Sequence, residues 1–247
     1  MGGGNAATVR AVIHQHFHPS DVLIADHPPT CPALFISDMD STMIAAECID
    51  ELADFAGIKA RIAAITERAM QGELDFVSAL HERVALLKDL PETAIAQCLS
   101  ERIVAMPGAR VLVQTLRAKG CHTVLVTGGF HQFADPVAEE LGFERVVANR
   151  LEIADGRLTG RLDGPICDSG TKRDTLLAEM ARLGAGATSL AMGDGANDIP
   201  MLEAATCGIA YHAKPKARAA ADGWIDCGDL TAVLRLFDIP EGEWVRD

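Results

Sequence analysis

Three short apolar runs, each followed at once by acidic, hydroxyl or glycine residues, constrain the fold more than any other feature of this sequence. The runs are 33–36, 123–126 and 189–192, and segments with helical periodicity separate them. Each run has the length of a strand buried on both faces, and strands that alternate with helices form a mostly parallel sheet through right-handed crossovers. We therefore predict an α/β fold with a Rossmann-like, mostly parallel sheet and helices on both faces.

A long helical stretch interrupts this alternation. Between 47 and 106 the pattern is helical, and no good strand is evident. We predict that 47–106 is a small helical cap domain inserted after the first strand, and that 31–46 and 107–247 form the core domain. Residues 1–30, rich in Gly, His and Pro, are predicted to be an irregular N-terminal arm, too short for a further folded domain.

Net charge and hydropathy exclude several classes of function. The net charge of −13 disfavours a non-specific nucleic-acid binder and repels anionic membranes. No apolar run approaches the length of a transmembrane helix, and no secretory signal is visible. We expect a cytoplasmic protein, monomeric or homodimeric, that acts on a small molecule and binds neither nucleic acid nor membrane.

Cysteine and histidine positions argue against a disulfide framework or a structural metal site. The seven cysteines are scattered and contain no C-x-x-C pair, which is typical of reduced thiols in the cytoplasm. His14, His16 and His18 alternate in the predicted arm, but no fourth metal ligand is evident. We interpret these histidines as solvated.

Polar or glycine residues follow each of the three predicted strands. Asp38 and Asp40 follow the first, Thr127 and Gly128 the second, and Asp194 the third. Because the carboxyl ends of parallel strands meet at one edge of a sheet, ligands bind there. Carboxylates held so close repel one another, and a hard divalent ion such as Mg²⁺ would offset their charge. A plain turn without a ligand remains an alternative for any one of these segments alone.

Arg83 is the clearest sign of a binding site that does not depend on those segments. A step of about 100° per residue puts it in the middle of an apolar helix face with Phe76, Leu80, Leu87 and Leu90. Burial of an unpaired guanidinium is costly, so Arg83 needs a carboxylate partner. That partner is either an acid of the protein core or the carboxylate of a substrate.

Two cations, Lys172 and Arg173, begin a predicted helix over 171–183 and oppose its macrodipole. A bound phosphate or the Asp38 carboxylate would offset this cost. Both cations flank the apolar stripe of the helix, so helical geometry does not choose between them.

The ordered set of motifs resembles a known superfamily. The D-x-D-S-T segment 38–42, the T-G-G segment 127–129, a helix-borne lysine and the G-D-G-x-N-D segment 193–198 are similar to the motifs of haloacid dehalogenase-type phosphatases. Glu47 and the segment 83–88 make the resemblance closer to the phosphoserine phosphatase family. The resemblance implies a haloacid dehalogenase-like core with a helical cap.

This resemblance also implies an activity, which is the Mg²⁺-dependent hydrolysis of O-phospho-L-serine to L-serine and phosphate, the last step of L-serine biosynthesis. Asp38 would be the nucleophile that forms an aspartyl-phosphate, and Asp40 the general acid and then the general base. Asp38, the backbone carbonyl of Asp40 and Asp194 would hold Mg²⁺. Between the two cations, the family pattern favours Lys172.

The remaining implied roles concern substrate binding. Glu47 would receive the substrate ammonium, although it is also an ordinary helix N-terminal acid. Asp198 would support the metal ligands or orient Lys172. The substrate-binding set is Glu47, Arg83, Thr127, Gly128, Lys172 and Asn197, with Met70 and Phe76 as apolar pocket residues that core packing explains equally well.

Two alternatives use the same motifs. One is a related phosphatase or phosphotransferase that acts on another small phosphorylated metabolite, with an alcohol such as homoserine as acceptor. The other is a receiver-like module that stores a phosphorylated aspartate, although such modules are about half this length and have no cap.

Overall fold

In the computed structural model of the chain, residues 6–26 and 28–246 are described, apart from the side chains of Ala6, Ala7 and Met70. The strands are β1 (Asp21–Leu23), β2 (Leu34–Ser37), β3 (His122–Phe130), β4 (Arg145–Asn149), β5 (Leu151–Ala154), β6 (Arg157–Leu162), β7 (Ser189–Gly193), β8 (Cys207–Tyr211) and β9 (Gly223–Ile225). The helices are α1 (Ala6–His16), α2 (Cys48–Phe55), α3 (Lys59–Met70), α4 (Phe76–Ala85), α5 (Thr93–Arg102), α6 (Ala109–Ala118), α7 (His131–Leu141), α8 (Ser169–Leu183), α9 (Ile199–Ala204), α10 (Pro215–Ala220) and α11 (Thr231–Leu236).

Seven strands form one sheet in the order β1-β9-β8-β7-β2-β3-β4, and β5 pairs with β6 in a separate hairpin. Neighbouring strands of the large sheet are parallel, except for the antiparallel pair of β1 and β9. The prediction of a mostly parallel α/β sheet with helices on both faces is confirmed. All four residues of β2, an interior strand of the sheet, are buried, as expected for a strand covered on both sides.

Alternation along β2 divides the apolar core into two layers. Phe35 packs into a cluster with residues of α6 and α7, whereas Leu34 and Ile36 pack into a second cluster with residues of α8 and α9. Ser37, the last residue of β2, pairs with Leu125 of β3 and Met192 of β7. The chain segments that leave these three strands therefore begin side by side.

The predicted cap residues form helices α2 to α5. Ile49, Leu52 and Leu80 from these helices join the same apolar cluster as Phe35, so the cap helices pack directly on the sheet layer. The hairpin β5–β6 also contacts them, since Leu158 N–H donates to the Leu90 carbonyl at 2.9 Å. The domain boundaries themselves stay a prediction.

The prediction of an irregular arm over 1–30 was wrong for the residues described, because this segment contains α1 and β1. The Asp21 carboxylate accepts three backbone N–H groups at 226–228, and the Arg10 guanidinium lies 5.1 Å from the ring centroid of Trp224. A three-residue edge strand held by such long-range contacts leaves little local signal in the sequence. The predicted cap therefore follows β2, which is the second strand of the chain and not the first.

Histidines 14 and 18 lie close together, with ring centroids 5.3 Å apart, and Nδ1 of His18 lies 3.4 Å from Oδ2 of Asp226. The guanidinium of Arg218 lies 3.5 Å from His14, and a cation there disfavours a metal. Among the described residues, no helix is long and apolar enough to cross a membrane.

Candidate active site

Asp38 lies at the centre of the carboxyl edge of the sheet, where its backbone N–H donates to the Met192 carbonyl of β7. Its side chain is buried. Oδ1 accepts the Met39 N–H at 2.7 Å, and Oδ2 lies 2.7 Å from Nζ of Lys172 and 3.4 Å from Nδ2 of Asn197. One carboxylate thus receives hydrogen bonds from its own loop, from α8 and from the loop after β7.

Lys172 lies in the first turn of α8, a helix capped by the side chain of Asp168. Only 1% of Lys172 is exposed, and its Nζ lies 2.7 Å from Asp38 Oδ2 and 2.7 Å from Asp198 Oδ1. Although burial opposes the charge, the two carboxylates raise the pKa of Lys172 above its ordinary value. Arg173, by contrast, pairs with Asp174 at the surface, so of the two predicted cations only Lys172 reaches the site.

Asp194 and Asp198 complete an acidic cluster with Asp38, since one carboxylate oxygen from each lies within 4.8 Å of the others. Asp198 is already satisfied. Its Oδ1 receives Lys172, and its Oδ2 accepts the N–H groups of Asp194 at 3.2 Å and Gly195 at 3.0 Å. Nδ2 of Asn197 also lies 3.4 Å from Asp198 Oδ1, so each oxygen of Asp198 has two partners. Oδ1 of Asp38 has one partner, so Asp38 and Asp194 are the members whose oxygens keep lone pairs for an ion.

The charge balance of this cluster fits a divalent cation. Burial, followed by the Asp198 carboxylate, raises the pKa of Asp38 in spite of the contact with Lys172. Burial also raises the pKa of Asp194. Negative charge is thus under-compensated by protein cations, and buried carboxylate oxygens of this kind suit a hard divalent ion.

Asp40 provides a second carboxyl group on the same loop. Its Oδ1 is buried and has no hydrogen-bond partner within the described part of the chain. Burial, and then the nearby Glu47 carboxylate, raise the pKa of Asp40 to about 7. A carboxyl group with this pKa can both donate and accept a proton near neutral pH.

Thr127 and Gly128 lie near the carboxyl end of β3, beside Asp38. Thr127 is buried, and its Oγ1 accepts the Gly129 N–H at 2.9 Å. A Cβ at position 128 would make an ordinary van der Waals contact with the Phe76 ring, at 3.4 Å, so α4 lies close to the strand at this point. The Gly128 carbonyl accepts Nδ2 of Asn149 at 2.8 Å, which fixes the turn.

A cleft of about 480 Å³ separates these core residues from the cap helices. Arg83 of α4 lines its cap side. The Nε group of Arg83 donates to the Ala79 carbonyl at 3.3 Å. The carboxylates of Asp50 and Glu47 attract it from beyond ion-pair distance, and no other carboxylate of the described residues pairs with it. Burial lowers the pKa of this guanidinium. The sequence alternative of a core acid as its partner is therefore not found among the described residues.

Glu47 and Phe76 also line the cleft. Glu47 is exposed at the start of α2, and its Oε1 accepts the Ser41 hydroxyl at 2.9 Å. Phe76 is 40% exposed, so it is not an interior packing residue. Met70, the other predicted pocket residue, has a side chain outside the described residues.

The structure thus gathers the predicted residues around one cleft, which is lined by Asp38, Asp40, Glu47, Phe76, Arg83, Thr127, Gly128, Asp194 and Asn197, with Lys172 and Asp198 buried behind them. Lys214 also lines the cleft and was missed from the sequence. The sequence holds no local signal for this role, because only the sheet order shows that β8, the strand before Lys214, lies beside β7. The roles assigned to the predicted site residues stay predictions.

Comparisons with known proteins agree with this geometry. A family model described as haloacid dehalogenase-like hydrolase matches residues 35–203, and a second model of the same description matches 170–237. The phosphoserine phosphatase of Albidiferax ferrireducens is 45% identical over 210 residues, which cover 83% of this chain and 89% of the relative.

Solved structures of phosphoserine phosphatases are also similar to this chain. A probable phosphoserine phosphatase from Vibrio cholerae superposes with a TM-score of 0.82 at 37% identity, and covers 96% of this chain and 74% of that chain. A structure described as a phospho-aspartyl intermediate analogue of phosphoserine phosphatase superposes with a TM-score of 0.74 at 37% identity. This match covers 83% of this chain and 98% of that chain.

Proposed function

The chain belongs to the phosphoserine phosphatase family of the haloacid dehalogenase-like hydrolases, and we propose that it hydrolyses O-phospho-L-serine to L-serine and phosphate. One observation carries this proposal: Arg83, whose guanidinium has no ion-pair partner among the described residues, shares a cleft with the buried Asp38–Lys172 pair. The first can bind a carboxylate, and the second can react with a phosphate ester. We propose that the reaction ends L-serine biosynthesis in the cytoplasm.

The first step is nucleophilic attack by the Asp38 carboxylate on phosphorus. A bond forms between a carboxylate oxygen and phosphorus, and the bond from phosphorus to the seryl oxygen breaks. Asp40 donates its proton to that leaving oxygen, which departs as the hydroxyl of L-serine. The raised pKa of Asp40, about 7, supports this role because a large fraction of the group is protonated at neutral pH.

The second step hydrolyses the aspartyl-phosphate. Asp40, now ionised, accepts a proton from water, and the water oxygen attacks phosphorus while the bond to Asp38 breaks. Phosphate leaves, and both carboxyl groups return to their starting states. One residue serves as acid and then as base, so its pKa must lie near the working pH.

The phosphate group is bound by residues of three loops. The Thr127 hydroxyl and the Gly128 N–H would donate to phosphoryl oxygens, and the Asn197 amide would do so from the other side. Lys172 holds Asp38 in place with its ammonium group, and Asp198 holds Lys172. These hydrogen bonds keep the nucleophile in one orientation before substrate arrives.

We propose Mg²⁺ as the cation of the acidic cluster, held by Asp38, Asp194 and the Asp40 backbone carbonyl. When bound, it supplies positive charge that offsets the charge of the phosphoryl oxygens and of Asp38. All other steps depend on the residues named above.

We expect chelation to abolish phosphate release and Mg²⁺ to restore it. We also expect Mg²⁺ to raise the melting temperature of the substrate-free protein, because it binds only the folded acidic cluster. Asp194→Asn should remove most of this thermal shift, whereas Asp163→Asn, a change at an exposed residue, should retain it. An equal Mg²⁺ shift in both variants would contradict the assigned site.

Selectivity for the amino acid comes from the cap. Arg83 would bind the substrate carboxylate through a bidentate pair, Glu47 would bind its ammonium group, and the Phe76 ring would contact its methylene. Because Glu47 directly precedes α2 and the other two residues lie on α4, the cap recognises the amino acid while the core binds the phosphate.

We expect Arg83→Ala to lower kcat/KM for O-phosphoserine at least about 30-fold, since loss of one partner of a desolvated charge pair costs roughly 2 kcal/mol or more. Phosphoethanolamine has no carboxylate, so the same variant should hydrolyse it about as fast as the wild type does. Arg61→Ala, a change at an exposed cap residue, is the matched control. Equal losses on both substrates would remove Arg83 from this role.

A further inference from the structure

Lys214 is a cation in the cleft that the proposed chemistry does not use. Its Nζ lies 3.5 Å from Oδ2 of Asp194, and the two side chains line the same cleft as Asp38 and Asn197. Lys172 contacts Asp38 and Asp198 instead. Within the described residues, Lys214 is therefore the cation paired with Asp194.

The backbone places this lysine beside Asp194. Lys214 precedes Pro215, the first residue of α10, and helical conformation is disfavoured for a residue before proline. Its φ and ψ of −61° and 150° are accordingly extended. Its N–H donates to the Asp194 carbonyl at 2.9 Å, so the main chains of the two loops are joined at this point.

The side chains of Lys214 and Asp194 differ in their solvent exposure. The Lys214 side chain is 65% exposed, whereas that of Asp194 is 10% exposed. The ammonium group can therefore move into solvent at little cost, while the carboxylate stays in place. A hard divalent ion carries twice the charge of the ammonium group, and it also prefers carboxylate oxygens such as those of Asp194.

We propose that Lys214 is a built-in counter-cation of Asp194, paired with it in the metal-free protein and displaced when the divalent ion binds. The inference rests on the proposed metal site. It implies that metal binding breaks one ion pair, so the lysine lowers the affinity for the metal while it stabilises the metal-free protein.

The test is isothermal titration of Mg²⁺ into the full chain without substrate, for the wild type and the variants Lys214→Gln, Lys214→Arg and Lys216→Gln. Lys216 is also exposed on α10, which makes it the matched control for a general change in charge. We expect Lys214→Gln to bind Mg²⁺ about three- to fivefold more tightly than Lys216→Gln does, the range that an exposed ion pair allows. Lys214→Arg should bind like the wild type.

Thermal unfolding is a second measurement of the ion pair between Lys214 and Asp194. Lys214→Gln should melt below Lys216→Gln in the presence of chelator, and the difference should vanish at saturating Mg²⁺. Equal Mg²⁺ affinities of these two variants, or weaker binding by Lys214→Gln, would overturn the inference and leave the proposed function standing. Absence of Mg²⁺ binding by all four proteins would overturn the proposed metal site and this inference together.

Discussion

Asp38→Asn is expected to lower kcat for O-phosphoserine by about 10⁴-fold or more, because an amide cannot attack phosphorus and no other residue replaces the nucleophile. The variant should still fold. Lys172 keeps its 2.7 Å contact with Asp198, and the amide oxygen can still accept the Met39 N–H that Oδ1 accepts. Initial rates of phosphate release, together with a melting curve, separate loss of chemistry from loss of structure.

Asp155→Asn is a suitable control for that change. Asp155 lies at the exposed turn between β5 and β6 with a φ of 51°, a conformation that asparagine also tolerates. The kcat of the Asp155→Asn variant should stay within about twofold of that of the wild type, as expected of a surface change away from the cleft. Turnover by Asp38→Asn at one tenth of the wild-type rate would show that a different group attacks phosphorus.

Lys172→Met is expected to have the largest effect on stability, a loss of about 3–5 kcal/mol in the free energy of unfolding. The change removes the cation between Asp38 and Asp198 and leaves two buried carboxylates facing each other. Turnover should fall as well, because Asp38 loses the ammonium group that orients it. Urea denaturation at neutral pH in the presence of chelator measures the change without a contribution from bound metal.

Arg173→Met is the adjacent control. Arg173 is next to Lys172 in the sequence and on the same helix, but it pairs with Asp174 at the surface. We expect a change of less than about 0.5 kcal/mol in the free energy of unfolding and ordinary turnover. Similar losses in the two variants would mean that the helix terminus, rather than the buried lysine, supports the site.

The sequence predicted the sheet and its loops because the signals there are local. A strand buried on both faces, such as β2, is an unbroken apolar run, and the residues next to it reach the sheet edge wherever the rest of the chain lies. The positions of Asp38 and Asp194 at the sheet edge therefore follow from local sequence patterns alone. Helical periodicity likewise predicted that Arg83 faces inward with Phe76, and in the structure Arg83 is part-buried on the wall of the cleft while Phe76 is 40% exposed.

The remaining features depend on contacts distant in sequence. Periodicity gives the direction of a side chain around a helix but not its depth, so helical geometry alone does not choose between Lys172 and Arg173. The family pattern favours Lys172, and Lys172 is the one that lies buried beside Asp38. The strand β1 has three residues and exists because β9 pairs with it. Lys214 lies in the site because β8, the strand that precedes it, is next to β7 in the sheet. A lysine before proline is otherwise an ordinary loop residue.

Covalent trapping of the intermediate tests most directly the claim that Asp38 is the nucleophile. Wild-type protein turning over O-phosphoserine is quenched in acid, reduced with borohydride and digested, and the peptides are analysed by mass spectrometry. The account predicts that reduction of the acyl phosphate converts Asp38 to homoserine, in a substrate-dependent manner, while Asp40 and Asp194 stay unchanged. Homoserine at another aspartate, or a phosphorylated residue of a different type with Asp38 intact, would contradict it.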